Sequence, residues 1–255
     1  MRRPELIPLA ALLAIAGFVG LQVYRAPRYA ARAVPPADST AASDGVQDGN
    51  LTRVRRSTLA PPTRDYVDIA QKLADAKGST YLDEVLAQRG GNVARWVDRR
   101  DDPVRVWVQP RSVLRDWWPD FPERTRDAFY TWAAAGVPIR FLFIDDSAAA
   151  EVRVRWVDRF AEAAGKTYWA HDQNWWIVDA DIELAVHHPN GQRYDGNNIR
   201  TIALHEVGHL IGLDHTANPD NIMSASVHVA SLSAADLRTA AMVYKLPPGP
   251  VSPAR

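Results

Sequence analysis

The feature that most constrains this chain is the stretch His205-Glu206-Val207-Gly208-His209-Leu210-Ile211-Gly212-Leu213-Asp214-His215. Its apolar residues, with Ile202, Ala203 and Leu204 before them, predict a buried helix over Asn197–Ile211 that the rest of the fold must cover. Positions four apart share one helix face, so His205 and His209 present two imidazoles to one point. Glu206 sits one step round, within reach of a water at that point rather than of the ion. A glycine past a helix end accepts positive φ without a Cβ penalty, so Gly212 lets the chain turn and return His215 as a third nitrogen. Three protein ligands and one open position make the arrangement of a catalytic zinc site rather than a structural one. A bare H-E-x-x-H arises by chance in about one chain in a few hundred, and the glycine and third histidine lower that roughly a thousandfold. The rival reading, packing histidines on an amphipathic helix, leaves unexplained why three of seven histidines take this spacing.

Composition removes other chemistries. The chain has no cysteine, which excludes disulfides, a thiolate metal site and a cysteine nucleophile. Lys and Arg total 30, balanced by 30 Asp and Glu, so nothing points to nucleic acid. With 255 residues, 47% of them hydrophobic, the chain fits one globular domain plus N-terminal material.

That material reads in stages. Arg2 and Arg3 precede an apolar stretch, Ile7 to Tyr24, so residues 1–33 are expected to be a signal peptide or a membrane anchor. Either one places the remainder outside the cytoplasm. Residues 34–62, rich in Pro, Ala, Ser and Asp and carrying Arg53-Val54-Arg55-Arg56, read as a flexible linker. Residues 63–91 show helical periodicity from Asp65 and again over Tyr81–Ala87, and read as a pro-segment or a brace. The compact domain is expected over 92–247, with a disordered tail at 248–255 after Pro247 and Pro248.

Within the domain, alternation predicts strands at Val104–Val108, Ile139–Ile144, Glu151–Trp156, Thr167–Ala170 and Trp176–Leu184. A helix opens at Phe121-Pro122-Glu123 and buries Ala128, Phe129 and Trp132. Ser233 and Asp236 cap a last helix running to Tyr244. The expected class is α/β (α+β), with a mixed five-stranded sheet.

The zinc motif, followed by Asn221-Ile222-Met223-Ser224, resembles the metzincin peptidases. Gly212-Leu213-Asp214-His215 and the short step to Met223 are similar to the matrixin, or matrix-metalloproteinase, branch. Arg95-Trp96, Ala128-Phe129, Trp132, Leu232-Ser233 and Val243-Tyr244 extend the likeness over about Asn92 to Pro247. The resemblance implies a twisted sheet with an active-site helix, a backing helix and a C-terminal helix. It makes Met223 the hydrophobic floor beneath the ligands and puts Trp169 and Ala170 on an edge strand that binds the substrate's main chain. It implies one catalytic Zn2+, hydrolysis of peptide bonds by a zinc-activated water with Glu206 as general base, and a monomer acting on protein or peptide.

The chain also departs from the branch. His171 lies where a second zinc would find a ligand, but Asp179-Ala180-Asp181 follows without a histidine, so His171 is read as an edge or packing residue. Asp179, Asp181 and Glu183 alternate and could contribute to a Ca2+ site, though a solvated strand face explains them as well. His187, His188 and His228 read as surface residues. The rivals to a peptidase are a non-catalytic zinc-binding module and a zinc hydrolase of a non-peptide amide.

Overall fold

Alternating valines and alanines build the sheet that positions the site. In the computed structural model, residues 53–253 are described. The Ile7–Tyr24 stretch and the start of the linker lie outside them. The described residues fall within a single compact unit, and among them no helix is long and apolar enough to cross a membrane.

In chain order the elements are β1 (Arg53–Arg55), α1 (Tyr66–Ala76), α2 (Leu82–Gln88), β2 (Asn92–Val93), β3 (Arg99–Val108), α3 (Phe121–Ala133), β4 (Ile139–Phe143), β5 (Val152–Val157), β6 (Gly165–Asp172), β7 (Ile177–Ala185), α4 (Gly196–Leu210), α5 (Ala234–Lys245) and β8 (Gly249–Pro250). The five predicted strands are β3 to β7. The main sheet is mixed, in the order β1-β6-β7-β5-β3-β4. Only β6 runs against its neighbour β7. The pairs β3/β4, β3/β5, β5/β7 and β1/β6 are parallel.

Val104, Val106 and Val108 of β3, Val152, Val154 and Trp156 of β5, and Ala180, Ile182 and Leu184 of β7 are buried at every second position. Helices α3 and α4 pack on the sheet and on each other. Pro122 sits in the first turn of α3, where its missing N–H costs nothing. One turn apart, Phe121, Thr125, Ala128, Phe129 and Trp132 face inward. Trp132 has no exposed surface, and cutting it to alanine would cost about 3–5 kcal/mol.

Three segments differ from the sequence reading. The expected linker carries β1 near its end, paired with Ala170–Asp172, and Ala60 accepts a hydrogen bond from the Trp176 indole. The expected tail carries β8, antiparallel to β2. Proline cannot donate but its neighbours can pair: Val251 N–H reaches Gly91 O, and Pro248 O accepts from Arg64. His187, read as a surface residue, is 1% exposed. Its two ring nitrogens lie 2.9 Å from Asp158 and 3.1 Å from Asp116.

Candidate active site

Helix α4 begins with a capping box. Asp195 accepts from Asn198 N–H, and the Asn198 side chain accepts from Asp195 N–H. Its C-terminal end is closed by a Schellman turn. Leu213 N–H bonds Gly208 O, and Gly212 N–H bonds His209 O. Gly212 has φ +104°, and a Cβ there would lie 2.3 Å from Ala94 O. Both facts demand glycine. The last carbonyls of a helix need outside donors. Here Trp96 Nε1 donates to Leu210 O at 3.0 Å and the Tyr244 hydroxyl to Ile211 O at 2.9 Å. At the middle of the helix, Trp132 Nε1 donates to Leu204 O at 2.8 Å.

This frame brings the three predicted ligands together. The Nε2 atoms of His205, His209 and His215 lie 3.1, 3.3 and 3.3 Å apart. A tetrahedral zinc with Zn–N of 2.0–2.1 Å needs nitrogens about 3.3–3.4 Å apart, so the residues fit the ion. The other ring nitrogens fix the tautomer: His205 Nδ1 donates to Ile222 O at 2.7 Å and His209 Nδ1 to Leu213 O at 3.0 Å. Burial lowers His205 to about 4 and pushes His209 and His215 down as well. Neutral imidazoles are what a cation needs. Among the described residues, this is the one cluster whose His, Cys or carboxylate atoms converge as metal ligands do.

Met223 is fully buried against α4. A Cβ at Gly208 would lie 2.2 Å from its sulfur, so the glycine opens the space that Met223 fills. A glycine inside a helix costs about 1 kcal/mol against alanine, and that cost was the one sequence signal for this contact.

Glu206 is 4% exposed. Burial raises its carboxyl to about 7, opposed by a hydrogen bond from Thr167 and by the charge of Lys166. The Thr167 hydroxyl lies 2.7 Å from Glu206 Oε2 and 3.0 Å from its carbonyl oxygen. Nothing in the sequence marked Thr167, whose partner is 39 residues away. The same strand, β6, carries Trp169 and Ala170. Trp169 is 2% exposed, so its indole is packed inward rather than offered to a ligand. β1 pairs with Ala170 through Arg53, in the parallel direction.

Other ligand-type residues are spent elsewhere. His171 stacks on Trp175 with ring centroids 4.3 Å apart, and its Nδ1 lies 2.6 Å from Asp172 O. Asp181 pairs with Arg153 at 3.0 Å and with Arg155 at 2.6 Å. Asp179 pairs with Arg153 and, at 3.3 Å, with Arg55. No Ca2+ site forms from them among the described residues.

Comparison with known proteins agrees with this geometry. A family model described as matrixin matches residues 118–245, half of the chain. Human matrix metalloproteinase-15 is 31% identical over 94 residues, covering 35% of this chain and 12% of that protein. A putative matrix metalloproteinase of Heliothis virescens ascovirus 3e is 26% identical over 137 residues, covering 46% of this chain and 28% of that protein. The chain therefore spans less than a third of the length of either relative.

Proposed function

Since the chain belongs to the matrixin family, we propose that it is an endopeptidase acting on extended protein or peptide segments outside the cytoplasm. Its zinc-dependent hydrolytic site is the triad His205, His209 and His215. The observation that carries the proposal is the buried Glu206 carboxylate, one residue from the first ligand and held by Thr167 of β6.

When bound, zinc supplies Lewis acidity toward water and toward the scissile carbonyl. Glu206 takes the proton from the attacking water and gives it to the leaving amine. Burial pushes this carboxyl upward, toward the range in which it can both take and give a proton. Thr167 limits the carboxylate to one orientation while the proton moves. Main-chain groups of β6, near Thr167 and Trp169, align an added peptide strand, and a strand continuing past Ala170 must displace β1. Met223 and the apolar face of α4 keep the ligand helix rigid and dry. The basic start and apolar stretch of residues 1–24 support export of the domain.

The test is Glu206→Gln. The variant should bind zinc as wild type does and cleave a peptide library about 10²–10⁴-fold more slowly, read by mass spectrometry of the products. Cleavage at the wild-type rate would remove Glu206 from the mechanism. Zinc binding by wild type with no cleavage of any peptide would favour a binding module, and cleavage of a compact amide alone would favour a non-peptide hydrolase.

A further inference from the structure

His215 leaves the helix on a loop, so something other than α4 must hold it still. Residues 212–217 form no helix or strand. Side chains from the first turn, the last turn and the C-cap of α2 reach them. Glu84 accepts from the Thr216 hydroxyl at 3.0 Å and from Ala217 N–H at 2.6 Å. Gln88, four residues on and so on the same helix face, donates to His215 O at 2.7 Å. Arg89 donates to Gly212 O at 3.0 Å, Leu213 O at 3.1 Å and Ala94 O at 3.3 Å. Its Nε faces Asp214 Oδ2 at 2.5 Å.

Arg89 is as buried as His205 and nearly as buried as His209, whereas His215 is exposed. Removing a guanidinium from water costs several kcal/mol unless its donors are met. Here they are met mostly by the loop between the second and third ligands, while the Trp169 ring lies 5.1 Å beneath the guanidinium carbon. Leu213 O, which takes an Arg89 hydrogen, is also the acceptor that fixes the tautomer of His209. One side chain thus touches the support of His209, the approach to His215 and the strand that carries Thr167. Glu84, Gln88 and the C-cap Arg89 all precede the stretch 118–245 that the family model matches.

We propose that Arg89 is a positioning residue of the metal centre, and that with Glu84 and Gln88 it makes α2 a permanent brace for the zinc loop rather than a pro-segment removed on maturation. The inference rests on His205, His209 and His215 holding zinc, and on nothing about the substrate.

The test uses the full chain and reads zinc affinity by competition with a chromophoric chelator, alongside melting temperature with and without zinc. Arg89→Gln should weaken zinc about 10–100-fold, the usual size of such a loss beyond the ligands themselves. Arg89→Lys should fall between, because an ammonium keeps the Asp214 pair but not the fork across several carbonyls. Gln88→Ala, which removes the exposed hydrogen bonds to His215 O and to Glu84 O within α2, should weaken zinc about three- to tenfold. A purely structural role for α2 predicts instead that the metal-free melting temperature falls while zinc affinity stays put, and that result overturns the proposal. So does wild-type affinity in Gln88→Ala, which also settles the matter should Arg89→Gln not fold. Failure of wild type to bind zinc would be a different result, and would overturn the metal site itself.

Discussion

On α4 and the loop that follows it, three imidazoles turn their Nε2 atoms toward one another. On β7, Asp179, Asp181 and Glu183 stand at strand spacing on one face. Both sets are metal-type ligands with correct periodicity, yet they end differently. The imidazoles have their Nδ1 atoms tied to carbonyls or left at the rim, and no protein cation enters between them. The carboxylates meet arginines across the strands: Arg153 lies opposite Asp181, and Arg155 opposite Glu183. Lys166 lies opposite Glu183 from β6. The lesson is that a ligand cluster binds metal where the chain itself supplies no counter-group. On β7 the guanidinium groups already occupy the place of a cation.

The strongest way to break this comparison is His209→Ala. Two imidazoles without a third should hold zinc about 10³-fold more weakly or worse, and hydrolysis should vanish with the metal. Retention of stoichiometric zinc at nanomolar chelator-buffered concentrations would mean that other groups complete the site. Gly212→Ala is next. Positive φ and the contact with Ala94 O together should cost about 2–4 kcal/mol in a denaturant melt. A variant as stable as wild type would show that the loop can reach His215 by another path.

Arg153→Gln sharpens the other half with the smallest effect. It exposes Asp179 and Asp181 without their shared partner, so the melting temperature of the variant should rise with millimolar calcium while that of wild type stays flat. The acid limb should shift too. Burial alone would raise Asp181, but Arg153 and Arg155 outweigh it and hold its carboxyl below 3.8. A carboxyl depressed by folding contributes stability above its unfolded pKa, and that contribution is lost as pH falls through the folded value. In wild type the loss therefore comes below about pH 4. In Arg153→Gln it should begin at higher pH, read from melting temperature between pH 3 and 7. An unchanged acid limb would show that Arg155 suffices.

The elements that carry strong local patterns were legible. Val104–Val108 alternates into β3, and Ser233 with Asp236 caps α5 as its spacing predicts. β1 was not legible, because three residues reading Arg-Val-Arg have no apolar face, and what makes them a strand is the edge of β6 far along the chain. β8 was hidden by its prolines, since pairing there relies on accepting carbonyls and on Val251 N–H. His187 sits in a polar stretch, and its burial depends on Asp116 and Asp158 closing over it from two other loops. Arg89 stands before Gly90-Gly91 and reads as a helix end. Its acceptors at 212 and 213 are 123 and 124 residues away.

The sequence by itself determined the ligand set. His205, Glu206 and His209 lie within little more than one helical turn, and Gly212 fixes the turn that follows, so their relative positions come from local bond geometry that any burial of the helix preserves. Tertiary structure alone decided what surrounds that set: the Thr167 hydroxyl on Glu206, the space under Gly208 for Met223, the α2 side chains on the His215 loop, and the arginines on Asp179 and Asp181. Those contacts join residues separated by tens of positions, and their partners are chosen by packing and charge pairing that no periodicity records.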